Sequence, residues 1–423
     1  MIKNSENKKN IVFVALAIIV MTLSFWKNIF VIDENDRENF WKFQVDSENI
    51  VIGRIICDKY KLNEIKYGLC KIDEGYIDLT EYDRYLQVLN DKGDEQFEMK
   101  EYASQFGLQG RIFSFLYNKL KLSIGALHLL CCFLLTMVLT AICYLLKERY
   151  GKLFAGIFWM VFLLSPWIIN FAKNLYWVEF TWFLPLLMCL LLTKTKKQKI
   201  FLPLYYIAVL IKSLCGYEYL STILLSSISF LIVDLVLYKN QRKENLKTIF
   251  IVGILAILAF FTSICIHANL KGNGNIIEGT KKIITEDVMR RTLGNYADKF
   301  NDNYRESLEA SVIDTIKKYY NFKTDIVLGI NGKMFLILSI FSFMIAIYNK
   351  LNRKNNSLRD IVMYIVFYMT TISWYVLGKA HSYIHTHMNF VLWYFGYIQI
   401  CLYIIIKFLI EYIGKRECKN DKK

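Results

Sequence analysis

The 423-residue sequence predicts an all-α polytopic membrane protein with about ten transmembrane helices. Three observations predict it: ten long apolar runs, basic clusters on alternate connections, and two long connections on the side that lacks those clusters. The runs cover roughly 11–32, 123–146, 153–172, 176–193, 200–214, 219–238, 248–269, 334–349, 360–378 and 389–410. Each is long enough, or nearly so, to cross about 30 Å of hydrocarbon as a helix.

The basic clusters are Lys3/Lys8/Lys9, Lys147/Arg149/Lys152, Lys194/Lys196/Lys197/Lys199, Lys239/Arg242/Lys243/Lys247, Lys350/Arg353/Lys354/Arg359 and Lys415/Arg416/Lys419/Lys422/Lys423. Lysine and arginine are retained on the cytoplasmic side, so this alternation places both termini in the cytoplasm. The net charge of +15 is mostly this bias, with a smaller contribution from attraction to anionic lipid. It is divided among six short segments and no nucleic-acid-binding motif accompanies it, which excludes nucleic acid as the expected partner. The first run is longer than a typical signal-peptide core and no A-x-A site follows it, so a signal anchor is expected. The Lys-, Ile- and Asn-rich composition suggests an AT-rich bacterial coding sequence. The expected location is therefore the bacterial plasma membrane.

Two outer connections are long, 33–122 and 270–333, while those near Asn174–Trp177, Cys215–Glu218 and Lys379–Met388 are short. Long loops in a compact protein are usually functional, which places the working face outside the cell. In 101–120, Phe106, Leu108, Ile112, Phe113, Leu116 and Leu120 recur at helical spacing. That predicts an interfacial helix lying on the membrane surface, and 306–322 predicts a second. There is no internal repeat or Pro-rich linker, so residues 1–423 form a single integral domain. Six of the ten cysteines (Cys131, Cys132, Cys143, Cys189, Cys265 and Cys401) lie within spans as small apolar residues. Cys57 and Cys70 share the first outer loop, which leaves a disulfide between them open.

The candidate chemistry sits at the outer membrane edge. The first run leads directly into Asp33 and Glu34, and Asp46 and Glu48 follow in "VDSENIVIGRI". Carboxylates at headgroup height are read as a general base or metal ligand facing a lipid phosphate, or as ordinary loop charge. Glu179 lies in the next outer turn among Trp177, Phe180, Trp182 and Phe183. A carboxylate near the bilayer costs free energy and so tends to mark a site. Trp177 and its aromatic neighbours suit an interfacial belt or a sugar-stacking surface. His381, His385 and His387 share one short outer connection with Lys379. Their side chains suit polar packing at the interface, phosphate binding or a transition-metal site. Arg290 and Arg291 are further phosphate candidates, because guanidinium matches phosphate oxygens bidentately.

This arrangement resembles the GT-C superfamily of polytopic glycosyltransferases. The resemblance rests on "DENDREN" after the first helix, "YASQFGLQG" before the second, Glu179 after the third, and a late outer loop. The acidic start of the first loop is similar to that of protein O-mannosyltransferases and aminoarabinose transferases. By that resemblance Asp33 or Glu34 serves catalysis, with Asp46 also in contention. The donor it implies is a polyprenyl-phosphate sugar held in membrane lipid, and the acceptor a cell-envelope glycan or protein. The chain lacks a paired D-x-D or E-x-D after the third helix, so a divalent metal ion as cofactor is left open. Three other readings stand beside it: a flippase or transporter of lipid-linked oligosaccharide, a polysaccharide polymerase or ligase, and a non-enzymatic receptor or assembly scaffold. Scarce proline and nearly charge-free spans argue against a transport path.

Overall fold

The structure is a computed structural model. It describes residues 2–30, 40–62, 64–73, 82–91, 97–288, 302–323, 325–327, 329–352 and 357–420. Helix α1 (Ile2–Lys27) opens the chain and gives way at Asn28, where φ is 52°. The connection that follows builds α2 (Val45–Tyr60), β1 (Cys70–Ile72), α3 (Tyr82–Asn90), β2 (Met99–Glu101) and α4 (Leu108–Asn118). β1 and β2 pair antiparallel, with Cys70 opposite Glu101.

The helix expected over 101–120 begins only at Leu108, because its first residues are taken up by β2 and by a glycine crossing. A Cβ on Gly68 would lie 1.9 Å from the Gly107 carbonyl oxygen, and one on Gly110 would lie 1.9 Å from that of Gly68. Only glycine permits such backbone contact. Helix α4 exposes Ile112 and Phe115 while burying Gln109 and Phe113. Its outward apolar face is what an interfacial helix lays on a membrane.

The helical body follows. It comprises α5 (Ile124–Tyr150), α6 (Lys152–Leu164), α7 (Pro166–Ala172), α8 (Phe180–Thr195), α9 (Gln198–Cys215), α10 (Leu220–Leu237) and α11 (Arg242–Lys271). After it come α12 (Ile276–Lys282), α13 (Asp302–Glu309), α14 (Val312–Asn321), β3 (Asp325–Val327) and β4 (Ile330–Asn331). The chain ends with α15 (Gly332–Leu351), α16 (Ser357–Leu377), α17 (Lys379–Ile384), α18 (Thr386–Asn389) and α19 (Tyr397–Asn420).

Among the described residues, seven helices are long and apolar enough to cross a membrane: α5, α9, α10, α11, α15, α16 and α19. The α6/α7 pair is an eighth if counted as one bent span, and α8 and residues 11–27 of α1 are shorter apolar helices. This is an all-α polytopic membrane protein. Three expected runs are interrupted for identifiable reasons. Pro166 forces Ser165 into extended backbone, and α7 leaves α6 at 63°. The stretch 306–322 breaks at Ser311, whose capping box with Asp314 starts α14. The run at 389–410 becomes α19 only after Gly396, whose φ of 122° excludes continuation.

Six of these helices pack in a closed circuit: α6 on α5, α5 on α8, α8 on α10, α10 on α16, α16 on α19, and α19 back on α6. Phe154, Phe158 and Phe162 recur at i, i+4 and so line one face of α6. Phe154 meets Tyr403 of α19 at 4.9 Å between ring centroids, and Phe162 meets Phe183 of α8 at 5.7 Å. Polar side chains join neighbours across the bundle, as in Thr22–Thr136 at 2.7 Å and Ser229–Thr370 at 3.0 Å. In an apolar solvent such bonds help hold helices together.

Gly53 lets α2 lie against β1, since a Cβ there would come within 2.3 Å of the Cys70 carbonyl oxygen. The same approach sets the buried thiols of Cys57 and Cys70 side by side, within hydrogen-bond reach and not joined in a disulfide. The hydrogen bond from Cys70 lowers the Cys57 thiol, while the same bond and burial raise Cys70. Oxidation with diamide should therefore join the pair and protect both thiols from alkylation after denaturation, read by peptide mass spectrometry. Two thiols that remain alkylatable would contradict this placement.

Candidate functional site

The end of the bundle that carries α2 is organised by one buried carboxylate, Glu48. It is 3% exposed and reaches three separate parts of the chain. The Tyr82 hydroxyl donates to Oε1 at 2.8 Å, His128 Nε2 of α5 lies 2.7 Å from the same oxygen, and the Leu175 amide donates to Oε2 at 3.0 Å. Burial pushes the Glu48 carboxyl up. The His128 ring, the Leu175 amide and the Tyr82 hydroxyl outweigh it and hold the group below its ordinary value of 4.5.

Asn174 makes the second clamp. Its Oδ1 accepts from the amides of Tyr176 and Trp177 at 2.9 and 3.3 Å, and its Nδ2 donates to the Gln44 carbonyl at 3.1 Å. Beside it, the Lys173 ammonium lies 3.9 Å from the centre of the Phe40 ring and 4.3 Å from that of Trp41. Burial lowers this ammonium to about 8 against the opposing pull of Glu48. These contacts fix the start of α2 against the outer turn between α7 and α8. Gln44, with φ of 55°, turns the chain into α2.

Asp46 occupies the first turn of α2 and is exposed, in contrast to Glu48 two residues on. It stands where two cavities meet, and Gln44 and Asp46 line both. The larger, of about 470 Å³, brings Lys42, Lys323, His387, Trp167 and Phe322 to the carboxylate. The smaller, of about 200 Å³, brings Tyr102, Tyr176, Trp177, Glu218, His381 and His385. One chamber is thus cationic with two aromatic walls, and the other is aromatic with imidazole and carboxylate groups.

The histidine loop is shaped by a hydrogen-bonded relay. The Tyr219 hydroxyl donates to Asn389 Oδ1 at 2.7 Å, and Asn389 Nδ2 donates to His381 Nδ1 at 3.1 Å. A neutral His381 accepting at Nδ1 carries its proton on Nε2. The Trp177 ring stacks on Tyr219 at 5.7 Å and 13°, so the relay and the aromatic wall share one support. His381 and His385 lie 4.6 Å apart between ring centroids, and His385 and His387 lie 5.5 Å apart. Partial desolvation lowers His387, with Asp46 opposing.

Of the residues expected at the site, Asp46, Trp177, His381, His385 and His387 converge on these cavities. Lys379 does not line them. Its ammonium is buried and donates to the Leu308 carbonyl at 2.7 Å, tying α17 to α13. Glu179 does not line them either; it is 1% exposed, and both carboxyl oxygens lack a hydrogen-bond partner among the described residues. Asp33, Glu34, Arg290 and Arg291 lie outside the described residues. No group of three or more His, Cys, Asp or Glu side chains is placed to hold a metal ion among the described residues.

Lys42, Lys323, Tyr102 and Asn389 were not singled out from the sequence. Asp46 and Glu48 both fall at helical spacing with apolar residues of α2, Asp46 with Ile50 and Glu48 with Ile52 and Ile55, so periodicity does not separate their roles.

Replacing Glu48 with alanine should cost on the order of 3 kcal/mol, since it leaves buried partners unpaired. A group whose folded pKa is depressed contributes stability fully above its ordinary value and loses it as pH falls through the folded value. Wild-type melting temperature should therefore fall on acidification below about 4.5 more steeply than that of Glu48→Gln. Equal slopes would contradict the assignment. Compared with protein-family models, curated proteins and solved structures, the chain matches none.

Proposed function

We propose that this protein is a membrane glycosyltransferase that moves a sugar from a polyprenyl-phosphate donor to a cell-envelope acceptor. The observation that carries the reading is the position of Asp46 between a cationic chamber and an aromatic one. A lipid-linked sugar phosphate offers the matching chemistry: an anion beside a ring whose C–H faces stack and whose hydroxyls hydrogen-bond.

The orientation follows from the charge. The turns after α5, α8 and α10 and the start of α16 meet at one end of the bundle, where a cavity collects Arg149, Lys194, Lys196 and Arg359. The Asp46 cavities draw on the other connections. Retention of basic residues inside puts the first end in the cytoplasm with both termini, and the site outside a bacterial plasma membrane. The ten apolar helices then all cross, and α4, with Ile112 and Phe115 exposed, lies in the outer interface beside α2.

In the proposed step the acceptor hydroxyl attacks the anomeric carbon and its proton passes to the Asp46 carboxylate. The bond from that carbon to the phosphate oxygen breaks, and its electron pair leaves with the polyprenyl phosphate. The developing charge meets Lys42, Lys323 and His387 across the larger cavity. Trp177 and the His381–Asn389–Tyr219 relay shape the sugar's chamber. Glu179 remains a buried acid beside this machinery.

The test uses the full chain in lipid nanodiscs with a panel of short-chain polyprenyl-phosphate hexoses, and follows release of the polyprenyl phosphate. Asp46→Asn should lower turnover by about 10²–10⁴-fold with donor binding retained. Asn389→Ala should lower kcat more than it raises KM, because it loosens an imidazole without removing it. Unchanged turnover in Asp46→Asn sinks the assignment of the base. Binding without turnover, together with lipid flux in vesicles, favours a flippase instead.

A further inference from the structure

A third cavity, of about 400 Å³, opens at the opposite end of the bundle from Asp46. The ends of α5, α8 and α10 and the starts of α11 and α16 enclose it. Four basic side chains line it (Arg149, Lys194, Lys196 and Arg359) against three acidic ones (Glu148, Asp234 and Glu244), leaving one net positive charge.

The acids are already engaged. Arg149 pairs with Asp234, Lys194 with Glu148, and Lys196 with Glu244 at 2.5 Å. Arg359 is the base left over. Its Nη2 donates to the Tyr403 hydroxyl at 2.9 Å, and its guanidinium carbon lies 5.7 Å from the centre of the Tyr150 ring. Asp360 comes within 3.6 Å of Arg359 Nε, but that carboxylate is also held by Lys407 at 2.8 Å, so the two offset one another.

Two donors in the lining have no hydrogen-bond partner among the described residues, Asn245 Nδ2 and the Tyr150 hydroxyl, and Arg359 Nε has only the 3.6 Å ion pair with Asp360. Asn245 is 8% exposed, so its amide has little access to solvent. Buried donors without acceptors cost free energy, and a ligand rich in acceptor oxygens removes that cost. The opposite wall is apolar, built from Leu145, Leu190 and Leu231. The ligand chemistry that fits is one negative charge, several acceptor oxygens and an apolar flank.

We propose that this cavity binds the phosphodiester headgroup of an anionic glycerophospholipid. A phosphodiester carries a single negative charge at neutral pH, which matches the lining. The cavity also lies where the spans end, at the depth of lipid headgroups, and basic pockets between transmembrane helices take such groups. The inference does not depend on the glycosyltransferase reading, and its test has its own readout.

The full chain would be reconstituted in nanodiscs containing equal phosphatidylglycerol and phosphatidylcholine, then analysed by native mass spectrometry for retained lipid. Phosphatidylglycerol should be retained preferentially. Arg359→Gln should cut that retention about fivefold, the effect of one basic side chain near an anionic headgroup. Asn245→Asp and Tyr150→Phe, which preserve side-chain volume, should also lower it while the melting temperature stays near wild type. Lys199→Gln, an exposed site outside the lining, should leave it unchanged. Retention equal for both lipids, or unaltered in all three cavity variants, overturns the proposal. Displacement of the bound lipid by soluble glycerophosphoglycerol at equal concentration overturns the lipid assignment in favour of a soluble phosphodiester.

Discussion

The half of this protein built around α2 depends on the burial of Glu48. A carboxylate removed from water is expensive unless its oxygens are satisfied, and here they are satisfied by groups from α5, from the turn before α8 and from Tyr82 at the start of α3. The requirement therefore acts as a constraint. The start of α2 cannot move away from the bundle without stranding the charge. Asn174 reinforces the constraint from the other direction by holding the Gln44 carbonyl. Together they fasten the start of α2 to the helical bundle.

Rigidity at Glu48 gives Asp46 its place. Two residues along a helix amount to about 200° of rotation, so a buried Glu48 presents Asp46 to the opposite side. That side is the junction of the two cavities. The outer short connections, which contribute Tyr176, Trp177, His381 and His385, then close around it. Separate clamps support these walls: the Asn174 turn holds Tyr176 and Trp177, and the Tyr219–Asn389 relay holds His381. A site built from such distant segments gains its geometry from these supports rather than from local backbone preference.

The two ends of the bundle carry opposite solutions to charge. At the Asp46 end, the carboxylate faces basic side chains and imidazoles across open cavities. At the other end most charges are already matched in pairs, and the surplus is one guanidinium with unpartnered donors around it. The first arrangement suits chemistry, where an ionisable group must meet a changing substrate. The second suits binding of a fixed, singly charged anion.

The apolar runs by themselves determined the membrane class. Transfer of a side chain into hydrocarbon is a local and nearly additive property, so a run of apolar residues is legible without knowing its neighbours. The sequence also marked Asp46, Trp177 and the three histidines as candidates, because polar groups at membrane edges are costly wherever they occur. Helix interruptions at Pro166 and Ser311 were present as residue types, yet their consequences for α7 and α14 appeared only in the folded chain. What the tertiary structure alone decided is which carboxylate is an anchor and which faces a cavity, and that Asp46 meets side chains more than 300 residues away. Such meetings depend on how helices pack and on where Gly68, Gly107 and Gly110 allow backbones to touch. They arise from long-range contacts, whose energies no single stretch of sequence contains.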